Sequence, residues 1–262
     1  MSRVFARYFI ALGFTALMFI SGCGGGGSSS VTSPDTSSTG SLAETPTDEL
    51  CTPVGSLLDC EIEHGGLDRR FKIYEPINLS PDAALPVLFN FHGYGSNADQ
   101  QLIYGDFRGL ADEETFILVV PQGSLLEGTT HWNSDSEFTS KSTADDLGFV
   151  SRMIDELETR YNIDNTRVYA AGMSNGGAMS LYLACSSSDQ ITAVASVTGF
   201  MSADLLSNCG AVNPTSVIVI HGTADSVVSW ESGLGGGSIL GIGEFWAEHN
   251  NCLLYTSDAA DE

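Results

Sequence analysis

Basic residues are scarce in this chain: 10 Lys and Arg stand against 33 Asp and Glu, a formal net charge of −23. A surface of that sign repels phosphate backbones, which argues against nucleic acid and favours neutral or cationic ligands. Long apolar runs are missing as well. The longest, Tyr8 to Ile20, is too short for a stable membrane-spanning helix. No Cys-x-x-Cys pair is present, so nothing suggests a metal site. No segment repeats, which excludes a repeat architecture. The absence with most chemical weight concerns histidine: of five in the chain, only His249 lies beyond Asp225.

The two ends differ from the body. Arg3 and Arg7 precede the apolar run, which closes Ile20-Ser21-Gly22-Cys23, so residues 1–23 read as an export signal. The closing residues resemble a bacterial lipoprotein signal, in which Cys23 would carry the lipid and supply the only membrane anchor; an ordinary signal cleaved nearby is the alternative. Residues 24–50 are rich in Gly, Ser and Thr and read as a tether. At the other end, residues 252–262 (CLLYTSDAADE) resemble translated sequencing adapter, leaving 51–251 as the folded domain. An even set of four cysteines, Cys51, Cys60, Cys185 and Cys209, then suits an exported protein with two disulfides. Three pairings are possible, and locality favours Cys51 with Cys60 and Cys185 with Cys209.

Within the domain, strand-like and helix-like segments alternate. Strands are predicted over Arg70–Tyr74, Leu85–Phe91, Phe116–Val120, Arg167–Ala171, Thr192–Val197 and Ser216–Ile220. Helices are predicted over Phe107–Glu114, Ala144–Tyr161, the stretch after Ser174, and Ile239–His249. Residues 122–143 and the segment holding Cys209 read as loops. The alternation implies an α/β fold, a mostly parallel sheet with helices on both faces. The ligand site of such a sheet lies at the carboxyl ends of its strands.

One stretch there carries chemistry. Arg167 to Leu183 (RVYAAGMSNGGAMSLYL) is a strand, a sharp turn at Gly172-Met173-Ser174-Asn175-Gly176, and a helix. That is the setting of a nucleophile elbow, where glycines two residues either side of a serine allow a turn too tight for a Cβ. The serine Oγ is pushed out above a helix N-terminus, which favours negative charge. A serine nucleophile needs a histidine to take its proton and a carboxylate to orient that histidine. Asp225, after the strand Ser216–Ile220, stands at the acid position in chain order. His249 is the only histidine downstream, and it falls inside a helix beside Phe245 and Trp246 rather than on a loop. His92, His131 and His221 precede the acid; His92 and His221 each stand before a glycine and read as loop-shaping residues. The backbone N–H groups of Asn175 and of Tyr94, in His92-Gly93-Tyr94-Gly95, suit an oxyanion hole. Trp132 and Trp230, on loops at the same edge, are candidate aromatic walls for substrate.

Several motifs together resemble the secreted polyhydroxybutyrate depolymerase-like esterases, with their feruloyl and acetylxylan esterase relatives. They are His92-Gly93 with Gly95, His131-Trp132-Asn133, Asp145-Asp146-Leu147-Gly148-Phe149-Val150, Arg167-Val168-Tyr169, Gly172-Met173-Ser174-Asn175-Gly176-Gly177, Leu183-Ala184-Cys185, His221-Gly222-Thr223-Ala224-Asp225 and Phe245-Trp246-Ala247 with Asn250. The resemblance implies an α/β-hydrolase with Ser174 as nucleophile and Asp225 as acid, acting on a polyester or on feruloyl or acetyl esters of polysaccharide. It implies no cofactor. The histidine of that family lies downstream in a Gly-His-like loop that these 262 residues do not contain, so the expectation is an incomplete site, a missing last strand and an open sheet edge. Ser229-Trp230 also stands where relatives tend to show Pro-Tyr. Two other classes stay open: a binding lipoprotein that keeps the fold without the chemistry, and a peptidase of the same fold.

Overall fold

A computed structural model describes residues 16–21, 50–80, 82–134 and 139–258, with backbone alone for 16–21 and 256–258. The ordered body begins with two antiparallel strands, β2 (Cys51–Val54) and β3 (Leu57–His64), after a short segment β1 (Ala16–Ser21). It continues through β4 (Leu67–Tyr74), β5 (Leu85–Phe91), α1 (Ala98–Tyr104), α2 (Arg108–Glu114) and β6 (Ile117–Pro121). A small hairpin, β7 (Ser124–Leu126) and β8 (Thr129–His131), leads to α3 (Asp146–Arg160). The remainder is β9 (Ile163–Met173), α4 (Asn175–Ser186), β10 (Ala193–Val197), α5 (Ala203–Asn208), β11 (Ser216–Gly222), α6 (Ile239–His249) and β12 (Tyr255–Asp258).

Ten of these strands form one sheet in the order β12-β1-β11-β10-β9-β5-β6-β4-β3-β2. The centre, β6-β5-β9-β10-β11, is parallel throughout, and antiparallel strands extend it on both sides. β5 and β6 are buried along their whole length, as apolar strands must be when helices cover both faces. Alternate side chains serve two cores. Phe89, Phe91, Ile117 and Val119 join Phe149, Met153 and Trp246 from α3 and α6 on one face; Leu88, Leu118 and Val120 join Leu102 and Leu110 from α1 and α2 on the other. α4 is buried on nearly every side, so its Ala, Met and Leu content reflects a central position rather than an amphipathic one.

The chain leaves β5 toward β6 and returns to the opposite side of β5 as β9. The sheet therefore reverses direction between β5 and β9, which is where open α/β sheets bind ligands. Phe91 pairs with Gly172 there, so the two chains run off the sheet side by side.

One expectation changes. β11 is not an open edge: β1 pairs with it antiparallel, and β12 pairs with β1. An unpaired edge offers a row of N–H and C=O groups that another extended segment can satisfy. Residues 16–21 and 255–258, from the segments that sequence reads as export signal and adapter-like tail, supply these two strands. The lipidation candidate Cys23 and most of the tether lie outside the described residues. The disulfides form as locality favoured, Cys51 with Cys60 across β2 and β3, and Cys185 with Cys209 at the far end of α4.

Candidate active site

β9 delivers Ser174 at the carboxyl edge of the sheet, and the backbone there is strained. Ser174 holds φ 55° and ψ −118°, a region that costs a non-glycine residue about 1–3 kcal/mol. Its amide donates to the Val197 carbonyl (2.8 Å), and its carbonyl accepts from Ala178 (2.9 Å) in the first turn of α4. The flanking glycines are required sterically. A Cβ on Gly172 would lie 2.3 Å from the Gly176 oxygen, and one on Gly176 would lie 2.2 Å from the Phe91 oxygen. The Ser174 side chain caps nothing and makes no hydrogen bond among the described residues, which leaves a half-buried hydroxyl available at the helix N-terminus.

The loop after β5 passes directly beside it. A Cβ on Gly93 would stand 3.6 Å from the Ser174 Cβ, ordinary van der Waals contact, so the loop backbone runs within one side-chain layer of the serine. Gly95 takes φ 74° and donates to the Thr130 carbonyl of β8 (2.8 Å), fixing the loop against the hairpin. Tyr94 follows Gly93 and its side chain is largely exposed. The structure brings Ser174, Asn175 and the Tyr94 segment together, the grouping expected for a nucleophile with two amide donors.

Trp132 is a correction. It is 0% exposed and cannot form a wall for substrate. Its indole N–H donates to the His92 carbonyl (2.9 Å), while its backbone N–H and C=O pair with the Asn175 side-chain amide at 2.7 and 3.0 Å. An indole beside an elbow reads as an aromatic surface in sequence, and only the fold shows that it points inward. Beneath it, Asn133 donates its backbone N–H to Asp146 (2.7 Å), and Asp146 pairs with Arg69, both nearly inaccessible. His131, Trp132 and Asp146 of these motifs are thus a buried scaffold, with Asn133 half-buried and Asp145 exposed. Trp230 is half-buried and packs edge-on to His221 at 6.2 Å, in the segment that follows Asp225.

Asp225 follows β11, two strands from Ser174. One carboxylate oxygen accepts from the amides of Val227 (2.8 Å) and Val228 (2.9 Å), which fixes the turn; the other faces His221 Nε2 at 3.6 Å. The side chain is 18% exposed. It is held as a turn anchor with one oxygen outside that turn.

The histidines are all placed elsewhere. His92 is buried, with Nδ1 against the Gly93 carbonyl (2.8 Å) and Nε2 accepting from the Gly123 amide (2.9 Å). Burial lowers its pKa from 6.5, so the neutral ring shapes the loop, as sequence expected. His131 bonds the Ser124 carbonyl (3.0 Å) and Ser142 (2.6 Å), and His221 the Val228 carbonyl (2.8 Å). His64 pairs with Asp145 (2.9 Å), which caps α3. His249 stacks on Phe245 within α6, with ring centroids 6.0 Å apart. Among the described residues no histidine is hydrogen-bonded to Ser174.

The profile of the phospholipase/carboxylesterase family matches residues 74–235. A bifunctional acetylxylan esterase/xylanase from Neocallimastix patriciarum is 31% identical over 63% of this chain and 23% of its own length. Feruloyl esterase B from Piromyces equi is 28% identical over 70% of this chain and 36% of its own. The chain therefore spans a minor part of either relative. A thermostable esterase of known structure superposes with a TM-score of 0.55 at 18% identity, over 74% of this chain and 52% of that one, which shows a shared fold.

Proposed function

Since the chain belongs to the phospholipase/carboxylesterase family of α/β-hydrolases, we propose that it is a serine ester hydrolase working through an acyl-enzyme on Ser174. The observation that carries this is the elbow: a serine at positive φ, uncommitted, between two glycines that have no room for a Cβ. Ser174 attacks the ester carbonyl, the amides of Asn175 and Tyr94 stabilise the oxyanion, and Asp225 is the acid for a histidine that none of the five placed rings supplies. Feruloyl or acetyl esters of plant polysaccharide are the proposed substrates, by similarity to the two fungal relatives, with polyester as a further candidate. Such uncharged ligands suit a chain of net charge −23. The Cys51–Cys60 and Cys185–Cys209 disulfides support export, and a lipid on Cys23 would hold the domain at a membrane surface in a mature chain from which β1, as part of the cleaved signal, has been removed. No helix of the described residues is long and apolar enough to cross a membrane.

The test is exposure of the 262-residue chain to p-nitrophenyl acetate with timed mass analysis. Acetylation of Ser174, absent in Ser174→Ala, is expected, followed by slow release, because turnover without a positioned base is poor. Equal hydrolysis by Ser174→Ala would overturn the assignment. That none of the five histidines is hydrogen-bonded to Ser174 favours one second reading, a protein that binds such polysaccharides without cleaving them. Retention on acetylated xylan with no acylation would select it.

A further inference from the structure

The oxyanion donors proposed above sit on two separate segments, the loop after β5 and the start of α4, and one residue touches both. Trp132 donates its indole N–H to the His92 carbonyl, in the peptide that precedes Gly93 and Tyr94. Through its backbone it makes a two-way pair with the Asn175 side chain, accepting from Nδ2 and donating to Oδ1. Asn175 is 1% exposed and Trp132 0%. Burying an amide and an indole N–H is costly unless each finds a partner. Here the partners are each other and the oxyanion loop.

We propose that Trp132 and the Asn175 side chain form a positioning clamp that sets the distance between the Tyr94 and Asn175 amides around Ser174. The clamp has a rigid seat. Asn133, the next residue, is held at its backbone by the buried Asp146 and at its side chain by the Ala144 carbonyl (2.9 Å). His92 is locked on its other side by the Gly123 amide. Neither Trp132 nor the Asn175 side chain touches substrate; each acts through the backbone it holds. An oxyanion hole works only if its donors point at the place where charge develops, and such placement fails over distances of about 1 Å.

The inference rests on the serine-nucleophile reading, so its test is arranged to separate the two. Acylation of Ser174 in the full chain by p-nitrophenyl acetate is followed by mass analysis over a range of ester concentrations. What a serine hydrolase retains without its base comes from the oxyanion hole and binding, so the assay reads the clamp whether or not a histidine serves Ser174. Trp132→Phe removes the indole N–H and keeps an aromatic ring; Asn175→Ala removes the amide. Each is expected to lower the saturating acylation rate about 100-fold, with the half-saturating concentration unchanged. The double variant should lose little more than either alone, because the two act as one unit. If Asn175→Ala does not fold, Trp132→Phe carries the test. Acylation of Trp132→Phe at the unmodified rate, or a loss confined to the half-saturating concentration, overturns the clamp and leaves the nucleophile standing. An unmodified chain no more reactive than Ser174→Ala overturns both.

Discussion

Ser174 and His92 show how far single residues were legible. The elbow serine was readable because its glycine spacing is a steric requirement, and the clashes at Gly172 and Gly176 are that requirement in coordinates. His92 was readable as a loop-shaping residue from the glycine after it, and both its ring nitrogens are engaged with backbone. Trp132 was not. Nothing in a local sequence states whether an indole faces solvent or core, and its partners Asn175 and His92 are about 40 residues away on either side. The protonation of His92 gives a pH prediction. Its folded pKa lies below 6.5, so the unfolded chain binds the extra proton first and stability falls as pH drops below about 6.5. The loss ends once pH passes the folded value. In thermal melts from pH 7 to 5, His92→Gln should remove that part of the decline and leave the rest. Parallel curves for the two proteins would mean that His92 takes up its proton without cost.

At the scale of elements, β5 and α6 occupy the residues expected of them, Leu85–Phe91 and Ile239–His249, because a continuous apolar run and a clear helical period each have one reading. The hairpin β7–β8 was hidden in a stretch read as loop. Its strands are three residues long and depend on tertiary bonds, Gly95 to Thr130 among them. α1 and α5 are also short, with Asn97 and Ser202 as caps and little periodicity to announce them. β3 did carry a signal, since Cys60 and Ile62 are buried between exposed Glu61 and Glu63. α4 is held at both ends, by the elbow at Ser174 and by the Cys185–Cys209 disulfide. That bond closes a separation of 24 residues and pins α5 beside α4. Replacing both cysteines by alanine should cost about 3 kcal/mol in urea unfolding. A change below about 0.5 kcal/mol would show that packing alone fixes the corner.

For the whole molecule, the sequence foretold a parallel centre with two helical layers but not its flanks. Long-range pairing at sheet edges depends on which segments find each other, and periodicity does not encode that. Charge acts at this scale too. A net charge of −23 is spread over a surface with few cations, so folding works against self-repulsion. Raising sodium chloride from low to moderate concentration should raise Tm by several degrees as screening shortens. A fall in Tm would mean that exposed pairs such as Arg70–Glu61 and Arg108–Asp106 outweigh that repulsion. The buried indole at the elbow has one more consequence. The Trp132 ring lies 5.0 Å from the His92 imidazole, and a protonated imidazole drains the excited state of a neighbouring indole. The molecule therefore carries an optical gauge: with Trp230 and Trp246, which also sit beside histidines, replaced by phenylalanine, blue emission should survive mild acidification and be lost only where the buried His92 takes up its proton.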